Sequence, residues 1–255
     1  MMRALLLLAI LTFPVPQLRA DEPQTIPPER VVGSVLGKPI TAGDISLKTA
    51  IDVSLKFDAR NRAAWDEMGK IVNVFGGPIL ERFIAEQKIA ATPEEIRKFN
   101  STMRKLAIRR RKQDEAQLAE TEAELKKEGV DAAAREKLEK QHEQLKRAFA
   151  MPLNDGESSD EVAAMFIQAW KIERALHAKY GGRVIFQQAG IEALDGRRRL
   201  FEEAERQGDL KFDDPGVRHL FYYYANMRHL DADAKDLEQP WFFRDPDHDH
   251  EKPLD

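Results

Sequence analysis

Val31–Asp44 reads VVGSVLGKPITAGD, and the fold is decided by how this stretch is read. The apolar run Val31–Leu36 stops at Gly37, where the missing Cβ permits a reversal with φ > 0. Pro39-Ile40 continues extended, so the segment predicts a small β-hairpin. Thr41 and Asp44 have capping-box spacing, with Asp in place of the more usual Glu. The hairpin is therefore expected to feed into a capped helix over residues 43–57, with Ile45, Leu47, Ile51, Val53 and Leu55 on a mostly apolar face.

Upstream, Arg3, the leucine-rich run Ala4–Phe13 and the close at Leu18-Arg19-Ala20 have the build of a secretory signal peptide. Residues 1–20 are read as that signal, cleaved after Ala20, and the protein as periplasmic or otherwise exported. The apolar run is short for a membrane span, which needs ~20 residues, so no stable membrane insertion is expected after cleavage. A retained anchor is the competing reading. The chain contains no cysteine, which removes disulfides, thiol nucleophiles and thiolate metal ligands. A net charge of −4 implies no general affinity for nucleic acid or anionic lipid. Charged residues make up 33% of the chain and crowd its middle.

Downstream of Asp21–Arg30, a proline-rich extended linker by composition, the chain reads as helices. One spans Trp65–Val74. Gly76-Gly77-Pro78 interrupts it, and Ile79–Ile89 follows with Ile79, Leu80, Phe83 and Ile84 on one face. Thr92-Pro93-Glu94-Glu95 is the clearest helix start: N-cap, proline at N1, acid at N3. Residues 94–150 are highly charged, with narrow apolar seams either side of Gly129-Val130-Asp131, and read as an antiparallel helical hairpin with a mobile tip. The run Arg109–Lys112 reads as a solvated face, because acids follow it closely. Ser158 and Glu161 have capping spacing ahead of a helix over Asp160–Tyr180, expected to bury Val162, Met165, Phe166, Ala169, Trp170, Ile172 and Leu176. Gly181-Gly182 ends it. Arg183–Gln188 is a strand candidate, expected to pair with the first hairpin. A helix over Asp195–Gln207, a short edge strand at Leu210–Phe212 and a last helix opened by Asp214-Pro215 follow. Pro240–Phe243 is expected to dock on the body.

Two phrases carry a family resemblance. Val32–Ile45, V-G-S-V-L-G-K-P-I-T-x-x-D-I, resembles the opening of the N-terminal chaperone domain of SurA- and PrsA-type foldases of the bacterial envelope. Lys88–Ile96 stands where that family joins two helices through a threonine-capped, diacidic start. The resemblance covers residues 31–99, and residues 160–180 by position. The chain is accordingly divided into a helical body, 31–93 with 158–243, of which 183–243 has no aligned counterpart in the family, a charged hairpin inserted at 94–150 and, by its composition, a flexible tail at 244–255. The family's prolyl-isomerase domain, with its strand-terminal histidine and G-G-x-L-G phrase, has no counterpart here.

No phosphate loop, nucleophile elbow or H-E-x-x-H motif occurs. Histidines and carboxylates alternate in Asp245–Glu251, a metal-ligand pattern, but a charged terminus lacks the second shell that fixes metal ligands, so it reads as solvated and no metal site is assigned. The run Phe221–Tyr224 holds four aromatics, more than one helix face buries, so Tyr222 and Tyr223 must meet a second layer, solvent or a ligand. The expectation is a mainly α protein with a small sheet and a protruding charged hairpin. It would act as a non-catalytic, ATP-independent chaperone without cofactor, binding extended apolar segments of exported polypeptides. Phe75, Ile79, Phe83, Tyr222 and Tyr223 are the candidate peptide-binding residues. Two alternatives stand beside it: an adaptor docking a specific partner through the charged hairpin, and a prolyl isomerase with an unrecognised site.

Overall fold

The computed structural model describes residues 25–51, 62–129, 131–150, 159–187 and 190–244. The signal segment 1–20 and the histidine-rich stretch 245–251 lie outside them. The architecture is mainly helical, with a small antiparallel sheet and a separate two-stranded hairpin. Strands β1 (Val31–Val35) and β2 (Lys38–Thr41) form the predicted hairpin about Leu36-Gly37, both with positive φ, the turn geometry that matches strand twist. The third strand is β5 (Leu210–Phe212), antiparallel to β1, so the order is β2-β1-β5. Gly33 is where the central strand passes closest to its neighbours: a Cβ there would lie 2.2 Å from the Lys211 carbonyl oxygen.

Three expectations around this sheet need correction. The Thr41–Asp44 box forms, with the Thr41 amide donating to Asp44 Oδ2 at 2.8 Å and the Asp44 amide to Thr41 Oγ1 at 3.3 Å. It closes a turn and not a helix. Ala42 and Gly43 donate instead to the carbonyls of Arg30 and Pro28, and Ser46 has φ 57°, which ends any helical path. Residues 25–30 are accordingly no free linker: Thr25 bridges Thr49 and Ile26 is buried in the core. The expected helix beyond Ile51 falls on residues outside those described. Thirdly, β3 (Ile185–Gln187) does not join the first hairpin but pairs with β4 (Gly190–Glu192).

Gly76-Gly77-Pro78 interrupts the α-helix as expected, with Pro78 in the first turn of the next one, but the chain stays helical across it. Helix α1 (Arg62–Ile71) runs through a π-helical turn, Val72–Gly76, into α2 (Gly77–Glu86), with Gly76 and Gly77 both in the right-handed region. A π turn absorbs a proline that cannot complete the ladder. It also delivers Phe75 to the centre of the core, against Phe212 at 4.9 Å between ring centroids.

Helix α3 (Pro93–Leu125) starts at the predicted capping box, its Glu95 also held by Lys171 Nζ at 2.7 Å. Burial alone would raise the Glu95 carboxyl; the Lys171 contact and the Thr92 amide and hydroxyl hold it below the ordinary range. Helix α4 (Ala132–Ala150) is capped by Asp131, as expected, and packs on α3. Helix α5 (Asp160–Tyr180) has the predicted span, but its cap is Ser159, one residue later than the spacing suggested. The main core joins the sheet, α1, α2, α5, α6 (Leu194–Gln207) and α7 (Pro215–Asn226). A second cluster, Phe99, Ala163, Ile167 and Phe242, ties the base of α3 to α5 and to the C-terminal turn Trp241–Phe243. The stacked and tilted rings there add about 1 kcal/mol per pair beyond area burial.

Candidate functional site

The residues singled out for peptide binding do not form an open surface. Phe75, Ile79, Phe83 and Tyr222 are buried. Phe75 sits inside the main core, and Ile79 and Phe83 form the apolar wall of a small cavity of about 210 Å³ rimmed by Arg82, Glu86, Lys179 and Glu203. Tyr222 meets the second layer: it packs between Phe212 and Phe221 and donates to Glu205 Oε2 at 3.1 Å. Burial, the Glu205 charge and this hydrogen bond push its phenol above the ordinary range. Tyr223 is half-buried with its ring 5.6 Å from His219. The physical reason is common to the first four: the π turn and the α7 register turn these side chains inward, where dense packing outweighs exposure.

The open apolar surface lies elsewhere. A groove of about 600 Å³ runs between α5, the β3–β4 hairpin and the C-terminal segment 236–244. Its size falls in the range of ligand-binding clefts. Met165, Phe186 and Trp241 border it with exposures of 60%, 56% and 46%. Phe166, Trp170 and Ile191 lie behind them, half-buried. Trp170 is fixed by its indole N–H, which donates to the Leu237 carbonyl at 2.6 Å. Val162, Met165 and Ala169 were expected inside but are exposed; the helix buries Ile172 and Leu176 as expected, together with Ala163 and Ile167, and leaves Met165 and Ala169 to the groove.

An ionic cluster forms the groove floor. Glu173, 7% exposed, accepts the Ala193 amide at 2.9 Å and is paired with Arg197. Arg197 Nε approaches Glu192 Oε1 at 3.3 Å without hydrogen-bond geometry, and it is a buried nitrogen with no hydrogen-bond partner among the described residues. Tyr224 donates to the other Glu192 oxygen at 3.0 Å and receives the Gln187 side-chain amide. Burial raises the Glu173 carboxyl, and Glu192 adds to this, against the opposing pull of Arg197. Desolvation lowers the Arg197 guanidinium's pKa, but Glu173 and Glu192 outweigh it and leave it above its ordinary value.

The chemistry offered is recognition of an apolar chain beside fixed charge. Among the described residues no cluster of His, Asp or Glu is arranged to hold a metal ion, and no helix is long and apolar enough to cross a membrane. Comparisons with protein-family models, curated proteins and solved structures give no match. The missed residues left one trace in the sequence. Helix α5 carries apolar residues at 162–167, 169, 170 and 172, more than one core-facing stripe uses.

Proposed function

We propose that this protein is a non-catalytic, ATP-independent chaperone of exported polypeptides that holds extended apolar segments in the α5/β3–β4 groove. One observation carries the reading: three large apolar side chains, Met165, Phe186 and Trp241, remain exposed around a single cleft. Contiguous apolar surface of this kind marks an interaction site, whereas single exposed residues do not. Covering it gains ~25 cal/mol per Å² of apolar area, less the cost of ordering the client. Such capture is reversible and needs no nucleotide.

The test is aggregation of an unrelated, denatured outer-membrane-type protein, followed by light scattering without ATP. Near-stoichiometric suppression is expected, and the triple variant Met165→Ser/Phe186→Ser/Trp241→Ser should lose most of it while unfolding like the parent. No suppression at large excess overturns the reading. The α3–α4 hairpin, whose first helix is ~50 Å long at 1.5 Å per residue, would then be the surface to test for a dedicated partner.

A further inference from the structure

The β3–β4 hairpin borders the groove, and its β4 edge is open at Ile191. Its register pairs Ile185 with Glu192, Phe186 with Ile191 and Gln187 with Gly190. Phe186 donates its amide to the Leu230 carbonyl at 2.9 Å, and Ala232 donates to Val184 at 2.9 Å, so the Phe186 main chain points away from β4. In an antiparallel ladder, a residue opposite such a position also turns its polar groups outward. The N–H and C=O of Ile191 therefore face out of the hairpin on its far side. Among the described residues neither has a hydrogen-bond partner. Ile191 lines the groove, and α5 forms the opposite wall.

The sheet's β2 edge makes an instructive contrast. Val35 and Lys38 flank the two-residue turn, which places Pro39 at an outward-facing position. Proline offers no donor, so that edge is blunted against strand addition. The β4 edge carries no proline; its next outward-facing amide, Ala193, is already held by Glu173 of α5 at 2.9 Å, so Ile191 is the position left to a partner. Charge narrows what fits there. The groove is lined by three carboxylates, Glu173, Glu192 and Asp236, against two guanidinium groups, Arg197 and Arg244. Asp236 and Arg244 pair at 2.8 Å, so the surplus negative charge resides at Glu173 and Glu192.

We propose that the groove takes its client as an added β-strand: an extended partner segment hydrogen-bonds Ile191, seats an apolar side chain against Phe186, Met165 and Trp241, and sets a Lys or Arg beside Glu192 and Glu173. Strand addition gives affinity through the main chain and specificity through alternate side chains. Phe186 and Ile191 share one face of the hairpin, and Glu192 lies on the other. The recognised pattern is consequently an apolar residue adjacent in sequence to a basic one. This inference rests on the groove being the chaperone's client site.

The test uses acetylated, amidated heptapeptides with a Phe-Lys-Phe centre and Thr flanks, read by fluorescence anisotropy on the full chain. Lys→Glu in the peptide should weaken binding about tenfold, and N-methylation of the central amides roughly fivefold, the loss expected for a strand hydrogen bond. Ile191→Pro should reproduce the N-methylation effect, because the removed N–H belongs to no β3–β4 bond. If that variant melts early, the N-methylated peptide alone decides. Binding indifferent to N-methylation and to charge overturns strand addition while leaving the chaperone reading intact. No peptide binding together with no suppression of aggregation overturns both.

Discussion

Gly33 shows how one missing methyl group governs the sheet. It occupies the central strand, where a Cβ would fall 2.2 Å from the Lys211 carbonyl oxygen and 2.9 Å from the Phe75 ring. The first contact is with backbone and has no rotamer to relieve it. Gly33→Ala must therefore push β5 from β1 or displace Phe75, and overpacking of this kind costs about 3 kcal/mol. Urea unfolding should show that loss as a lower midpoint with unchanged slope. A change below about 0.5 kcal/mol would mean that the strands separate freely there. At the same scale, the Thr41–Asp44 box shows that a capping motif specifies local hydrogen bonds and nothing beyond. Its bonds form as the spacing implies, yet the amides that follow find partners in residues 28–30 and no helix grows.

Among the elements, the charged hairpin is graded along its length. Its base is anchored by Phe99, Ile96 and Met103 against Phe166 and Phe242. Beyond Met103, α4 is the element on which α3 packs, and α4 itself buries no residue fully. Local stability follows buried apolar contact. Hydrogen exchange should accordingly run slowest in residues 96–103 and fastest toward residues 115–140, with roughly tenfold or greater contrast. Uniform protection along both helices would contradict this and require a further surface covering the hairpin. Most helices were legible because their caps and 3.6-residue apolar periods are local signals: Thr92 with Glu95, Asp131, and Asp214, whose carboxylate accepts the Gly216 and Val217 amides. Strand partners were not. β3 and β4 are three residues each and only two residues apart, and Gln188-Ala189 between them offers none of the Gly, Asn or Asp that signals a tight turn. The groove was hidden for a related reason: the same apolar residues of α5 suit a core or a cleft, and only tertiary packing tells Ile167 from Met165.

At the scale of the whole molecule, the groove and the core share the Glu173–Arg197–Glu192 cluster. Glu173 sits on α5, holds the Ala193 amide at the start of α6, and reaches Arg197 one turn further on. Removing Arg197 leaves two carboxylates facing each other with no cation between them. A fully buried pair broken this way costs ~3–5 kcal/mol. Arg197 keeps 28% side-chain exposure, so about 2 kcal/mol is expected for Arg197→Leu at neutral pH. The pH dependence has a fixed sign. Burial raises the folded-state carboxyl of Glu173, so the native protein takes up this proton at higher pH than the unfolded chain does. Its stability contribution falls as pH rises from the unfolded carboxyl range, near ~4.3, to the folded value, and is level above. Without Arg197 the folded value moves higher still and the fall is larger. The deficit of Arg197→Leu should therefore be greatest near pH 8 and shrink toward pH 4, where a protonated Glu173 needs no cation. Glu173→Gln/Arg197→Leu should recover part of it at neutral pH, since Gln still accepts the Ala193 amide. Urea titrations of the three proteins across that range decide the matter. A deficit constant with pH, unrelieved in the double variant, would show that Arg197 contributes through the packing of its stem, and the cluster would then bear on the groove's charge without holding α5 to α6.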